Sequence, residues 1–292
     1  MEAKALIFLH YTQDELDRAY DQTVWAPDMA GTMKRYAAES ERQRGVTAPV
    51  VLRYGEGALQ EIDLFPAGPG APLLFFVHGG AWRAGTRDLY SFIASRLVEQ
   101  DVAVAIPDFP KIGDVTLPGM ARHVASAFAH TVKEAPKHGI DPTRVVLAGH
   151  SSGAHIAGCL LAGAEGADIP RLLRSALLIS GMYEMEPVLL SSRSSYVTLS
   201  AADRHRLSPI RHLASPHSGR IAVVWGEGES PEFIRQSREY ALAAAAAGAR
   251  CEGQQIAGRG HFDILLDFLD PSSALTRTAL RLSREDGPAV AP

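Results

Sequence analysis

Residues 145–153 read Val-Val-Leu-Ala-Gly-His-Ser-Ser-Gly, and the order of side chains in them decides the fold. The first four are apolar without alternation, as in a parallel strand covered on both faces. Gly149-His150-Ser151-Ser152-Gly153 then fits G-x-S-x-G, and residues 155–164 carry helical spacing. A strand that turns straight into a helix at such a pentapeptide lifts its serine on a sharp bend, above the sheet and over a helix N-terminus. Glycine is required on either side because a Cβ beside that bend would collide with the neighbouring chain. Ser151 is therefore the candidate nucleophile. An ordinary strand-to-helix turn could carry the same five residues; the strand before and the helix after favour the elbow.

The alternation continues in both directions. Short apolar or β-branched runs at 62–65, 73–77, 102–106, 176–179, 221–225 and near 252–256 are predicted strands, and 89–99, 120–137 and 231–247 are predicted helices. The last helix opens with Ser230-Pro231-Glu232, a capping serine followed by proline, and stops at Gly248. Such alternation implies a mostly parallel sheet with helices on both faces, and ligands beyond the carboxyl ends of its strands. Two stretches break the pattern. Residues 12–45 read as helical segments ahead of the sheet; residues 182–215 are irregular and rich in Ser and Arg, and are expected to form a small cap over a pocket instead of a plain loop. Residues 283–292 read as a frayed tail, and a single domain over 1–292 is expected, with no internal repeat or linker.

His78-Gly79-Gly80-Ala81-Trp82 follows the 73–77 run directly. Acyl transfer develops an oxyanion that needs backbone N–H donors in a dry site, and paired glycines let a chain turn its amides inward. Gly79 and Gly80, with the amide of Ser152, are the candidate oxyanion hole. His78 reads as a loop-fastening hydrogen-bonder. Trp82 and His150 are the candidate pocket residues, Trp82 reading equally well as core. A serine hydroxyl needs a base, and the base needs an orienting carboxylate. In a strand–elbow–helix enzyme the order is nucleophile, acid, histidine. His261, among Gly258, Arg259 and Gly260, is the sole histidine after His217 and is the candidate base. Glu229 is the candidate acid and Glu227 its alternative; Asp263 and Asp267 break the order. His205, His212 and His217 fall in or beside the cap segment and are expected to be solvated.

Composition narrows the partners. Hydrophobic residues make up 46% and charged residues 21% of 292, the profile of a globular chain able to bury a core around a pocket. With net charge −4 and no Lys/Arg block, nucleic acid is not an expected partner. No apolar run is long enough to span a bilayer, and the first twenty residues lack a secretory pattern. Cys159 and Cys251 stand far apart without CxxC spacing and read as small apolar residues in a reducing compartment, so a cytoplasmic location is expected. With no HExxH and no nucleotide-binding glycine fingerprint, neither a metal nor a cofactor is expected, and the partner is a small-molecule ester or amide. A homodimer is compatible with the sequence.

Several segments together resemble one family: Leu16-Asp17-Arg18-Ala19-Tyr20-Asp21, Ile62-Asp63-Leu64-Phe65, His78 to Trp82, Gly149 to His155, and Glu229-Ser230-Pro231-Glu232-Phe233 with Arg235-Gln236-Ser237. They are similar to the kynurenine formamidase-like (arylformamidase) branch of the α/β hydrolases, which is related to the hormone-sensitive-lipase-type esterases. The resemblance covers roughly residues 13–268. It implies an α/β-hydrolase fold and a metal-free serine–acid–histidine enzyme acting on small N-formyl aryl amides or small esters, and it favours Glu229 as the acid. The chain departs from the family pattern in carrying Ser152 where alanine is frequent and a glutamate where aspartate is common. Residues 182–215 show no pattern tied to N-formylkynurenine, so a formamidase and a short-chain carboxylesterase both remain open. A non-catalytic binding protein is disfavoured, because all three members of the triad are present.

Overall fold

The computed structural model describes residues 5–166, 168–213 and 219–284. The strands are β1 (Val50–Arg53), β2 (Glu61–Phe65), β3 (Ala71–Val77), β4 (Ala103–Pro107), β5 (Ile140–His150), β6 (Leu173–Ile179), β7 (Arg220–Gly226) and β8 (Arg250–Ile256). They form one sheet in the order β1-β2-β4-β3-β5-β6-β7-β8. β1 and β2 run antiparallel to their neighbours, and every pairing from β4 to β8 is parallel. All seven predicted runs are strands. β1 adds one that hydropathy could not reveal, since Leu52 is its only buried residue.

Side chains on a strand alternate between faces, and β3 shows the consequence. Leu73, Phe75 and Val77 enter one core layer, and Leu74 and Phe76 enter the other. Helices Leu117–Glu134, Ser152–Leu161 and Pro231–Ala246 cover the first layer through Val124, Phe128, Ile156, Phe233 and Tyr240. Helices Ala94–Val98 and Ala274–Arg284 cover the second through Leu97, Leu275, Ala279 and Leu282. Phe75 meets Phe128 edge to face at 5.3 Å. Each such fully buried side chain contributes about 1.5–3 kcal/mol, which is why an unbroken apolar strand is stable only between two helical layers.

Register decides where the chemistry can gather. Val77 pairs with Gly149, His150 with Ile179, Ile179 with Val224, and Gly226 with Ile256. The carboxyl ends of β3, β5, β6, β7 and β8 therefore line up, and the loops after them open on one rim of the sheet.

Three stretches differ in detail from expectation. Residues 89–99 divide into a 3₁₀ segment, Asp88–Ile93, and a short α-helix, Ala94–Val98. Residues 12–45 form helices Gln13–Tyr20, Gln22–Trp25 and Met29–Val46. The 182–215 segment is largely helical where described: helices Met185–Leu190 and Ala201–Arg206 are each followed by a 3₁₀ segment, Ser192–Ser195 and Pro209–Arg211. Serines that read as irregular serve there as caps, as when Ser200 accepts from the Asp203 N–H at 3.0 Å. This segment binds the N-terminal helix: Gln13 donates to the Leu190 carbonyl at 2.9 Å, and Ser192 N–H donates to Asp17 at 2.5 Å. His217 and residues 285–292 of the expected tail lie outside the described residues. No helix among the described residues is long and apolar enough to cross a membrane.

Candidate active site

The bend after β5 gives Ser151 φ 55° and ψ −122°, a conformation that costs a non-glycine residue about 1–3 kcal/mol. Ser151 N–H donates to the Ile179 carbonyl at 2.9 Å, which ties the bend to β6. Its flanking glycines have steric reasons. A Cβ on Gly153 would lie 2.1 Å from the Val77 carbonyl oxygen, and one on Gly149 would lie 2.5 Å from the Gly153 oxygen. The helix Ser152–Leu161 begins immediately after Ser151, so its N-terminal amides face the region of the hydroxyl.

His261, in the loop after β8, stands 2.9 Å through Nε2 from Ser151 Oγ and 2.9 Å through Nδ1 from Glu229 Oε2. A carboxylate only accepts, so Nδ1 carries the proton and Nε2 is left to accept from the serine hydroxyl. Glu229 lies 3% exposed, and its second oxygen accepts from Ser180 Oγ at 2.5 Å and Gly226 N–H at 2.6 Å. Glu227 turns to the surface and accepts from Gly258 N–H at 3.0 Å. The acid and base loops are joined directly: Gly228 N–H donates to the Arg259 carbonyl at 2.8 Å, and a Cβ on Gly226 would meet that oxygen at 2.3 Å.

Two neighbours hold the His261 ring and backbone. Phe233 meets the ring edge to face at 4.8 Å. His150 donates through Nε2 to the His261 carbonyl at 2.7 Å, while its Nδ1 has no partner. Burial, and then the neighbouring His261, hold His150 well below the ordinary imidazole pKa, so its ring is neutral.

The loop after β3 lies against the bend. A Cβ on Gly79 would come 3.2 Å from Ser151 Cβ, and Gly80 has φ 127° with the Ala84 oxygen 2.1 Å from where a Cβ would stand. Among the described residues no acceptor meets the Gly79 or Gly80 amide. Ala81 and Trp82 also take positive φ, and Trp82 N–H donates to Ser152 Oγ at 3.2 Å. The Ser152 hydroxyl thus tethers the glycine loop to the elbow helix. His78 fastens the same loop: its Nδ1 donates to the Gly79 carbonyl at 2.8 Å, and its ring lies between Tyr90 and Phe109. Behind it, Lys111 donates to His78 Nε2 at 3.3 Å, and Asp108 is braced by Arg87 at 3.1 Å. Burial lowers the Lys111 pKa to about 8. Trp82 is 1% exposed and packs edge to face on His155 at 5.3 Å.

Known hydrolases resemble this chain over most of its length. The family model BD-FAE matches residues 65–170, from β2 through the elbow helix. A kynurenine formamidase of Danio rerio is 28% identical over 289 residues, covering 93% of this chain and 96% of that one. An isoprenylcysteine α-carbonyl methylesterase of Arabidopsis thaliana is 25% identical, over 73% of this chain and 56% of its own. A crystal structure of a candidate thioesterase from Silicibacter sp. superposes with a TM-score of 0.81 at 27% identity, covering 90% of this chain and 98% of that one. The chain is a hydrolase of the α/β-hydrolase fold.

The structure brings Ser151, Glu229 and His261 of this hydrolase within hydrogen-bond reach, and sets Gly79 and Ser152 beside them. It gives His150 and Trp82 buried positions against the histidine loop and the elbow helix. Of the cap-segment histidines, His205 is exposed and His212 donates to its carbonyl at 2.9 Å. Sequence reading missed Ser180, which has φ 54° and meets Glu229 only because β6 ends level with β7. It missed Arg193 as well, a serine-flanked arginine indistinguishable from a solvated one until it is seen to be buried. No cluster of His, Cys, Asp or Glu able to hold a metal occurs among the described residues.

Proposed function

We propose that the hydrolase cleaves a small N-formyl or N-acyl aryl amide, or a small carboxylic ester, through an acyl-enzyme on Ser151 and without a metal. The observation that carries this reading is His261, hydrogen-bonded at once to Ser151 and to Glu229. His261 takes the Ser151 proton as Oγ attacks the carbonyl carbon, and Glu229 stabilises the imidazolium that forms. The amides of Gly79, Gly80 and Ser152 receive the oxyanion. The imidazolium then gives its proton to the leaving amine or alcohol. Water, deprotonated by His261, releases the acid (formate from a formamide) and restores the serine.

An aryl formamide is the first substrate to try, given near full-length similarity to a kynurenine formamidase. The second reading, a general short-chain carboxylesterase, draws on the methylesterase and thioesterase relatives. Both keep the triad and differ in leaving group. The reading extends to residues 182–215 as a cap over the pocket, supported by their bonds to the N-terminal helix. It extends also to a cytoplasmic enzyme with free cysteines and no nucleic-acid partner, monomeric or as a homodimer.

Labelling with a fluorophosphonate tests the nucleophile, with Ser151→Ala as control. Label on the wild type and none on the variant is expected; equal labelling of both rules out Ser151. Parallel assays on N-formylkynurenine and on p-nitrophenyl acetate and butyrate separate the readings. Turnover of the esters alone removes the formamidase in favour of the carboxylesterase.

A further inference from the structure

Arg193 lies in the 182–213 segment, 7% exposed, with no carboxylate at ion-pair distance among the described residues. Its Nη2 donates to the Tyr20 carbonyl at 3.0 Å and its Nη1 to Met182 Sδ at 3.5 Å, so a backbone oxygen and a thioether, both uncharged, are its hydrogen-bond partners among the described residues. Aromatic rings surround it: its Cζ stands 5.3 Å from the Tyr20 ring centroid and 5.7 Å from those of Trp82 and Phe233. Burial lowers its pKa, and Tyr196, Tyr20 and Asp21 offset that only in part. A buried cation with no carboxylate at ion-pair distance among the described residues carries a large desolvation cost, which a chain of ordinary stability retains where a ligand supplies the pairing charge.

Position makes that ligand a substrate. Phe233, one of the three rings, lies 4.8 Å from the His261 ring, and Trp82 follows the oxyanion glycines. Trp82 Nε1 is itself a buried donor with no acceptor. An unpartnered indole donor and a buried cation with only uncharged hydrogen-bond partners among the described residues thus flank the rings that adjoin the base.

We propose that Arg193, aided by the Trp82 indole N–H, is the specificity residue that receives a carboxylate borne by the substrate away from its scissile bond. The inference rests on the acyl-transfer reading above and adds a demand that reading does not make: a carboxylate on the substrate. Neutral esters of the same size are then the poorer substrates.

The test is a ratio within each protein. kcat/KM is measured for N-formylkynurenine and for its carboxamide, which lacks the carboxylate charge, at a pH where the α-amine of both is protonated. A charge-assisted hydrogen bond predicts a wild-type preference for the carboxylate of roughly 10–100-fold, collapsing towards unity in Arg193→Met and recovering in part in Arg193→Lys. Inhibition of p-nitrophenyl acetate hydrolysis by 4-phenylbutyrate against 4-phenylbutanamide provides the same comparison on wild-type enzyme, and needs no variant to fold. Equal inhibition by the two, or a wild-type preference that survives in Arg193→Met, overturns the proposal. If no formamide is turned over and the butyrate alone inhibits, the formamidase reading falls and the anion site stands.

Discussion

His150 Nε2 donates to the backbone carbonyl of His261 at 2.7 Å, so the residue just before Ser151, the proposed nucleophile, holds the chain of the proposed base. The bond also sets the tautomer, since a carbonyl accepts only from a protonated nitrogen. In His150→Phe the ring volume stays and the tether goes. We expect kcat on p-nitrophenyl acetate to fall about 10–100-fold with KM within about threefold, the mark of a positioning residue. A rise in KM at constant kcat would contradict that role.

Glu229 and Glu227 are two residues apart, yet only Glu229 reaches the imidazole. Glu229→Gln keeps the shape but no longer stabilises the protonated histidine, so kcat should drop by about 10²–10⁴. Glu227→Gln should remain within about threefold of wild type, because it loses only an exposed contact to Gly258. Steady-state kinetics on the same ester decides between them.

Gly153→Ala tests the packing of the elbow. The added methyl would have to occupy space 2.1 Å from the Val77 backbone oxygen, and backbone there is part of the central sheet. Destabilisation of about 4 kcal/mol or more, or insoluble protein, is expected. A variant with a wild-type urea midpoint would show that β3 and the helix can separate without penalty.

Ser152→Ala removes the acceptor for Trp82 N–H and leaves a buried donor unsatisfied. We expect about 1–3 kcal/mol lower stability in urea denaturation, with a several-fold loss of kcat as the oxyanion loop loosens.

Acid should weaken the fold through its buried histidines. His155 is fully buried, and burial lowers its pKa from 6.5 to about 4. Between those values the unfolded chain binds a proton that the folded one does not. Its contribution is therefore complete above pH 6.5, is lost as the pH falls towards 4, and is constant below. The full loss is about 3 kcal/mol, and His78 and His150 act in the same direction. His155→Gln keeps a donor for the Leu207 carbonyl and no longer titrates. Urea denaturation at pH 7.5 and pH 5 should show a smaller difference for the variant than for wild type.

Local pattern was enough for much of this protein. Alternation of apolar runs and helical spacing located every central strand, because burial on both faces leaves an unbroken apolar run. G-x-S-x-G and HGG were readable since backbone geometry restricts them to glycine, and chain order selected His261. β1 was silent because an edge strand with one buried residue has no hydrophobic signature. Residues 182–213 hid their helices because short, serine-capped turns are stabilised by contacts with residues 13–25, not by their own periodicity.

What the amino-acid sequence determined by itself, then, is the order of elements and the candidates for nucleophile and base, Ser151 and His261. Only tertiary structure put Glu229 and not Glu227 beside His261, set Ser180 and His150 against these two residues, and left Arg193 buried without an ion-paired carboxylate among the described residues. The physical reason is one of range. Strand and elbow signals are written in neighbouring residues, whereas the partner of a charge is set by the register of strands more than forty residues apart and is absent from any local window.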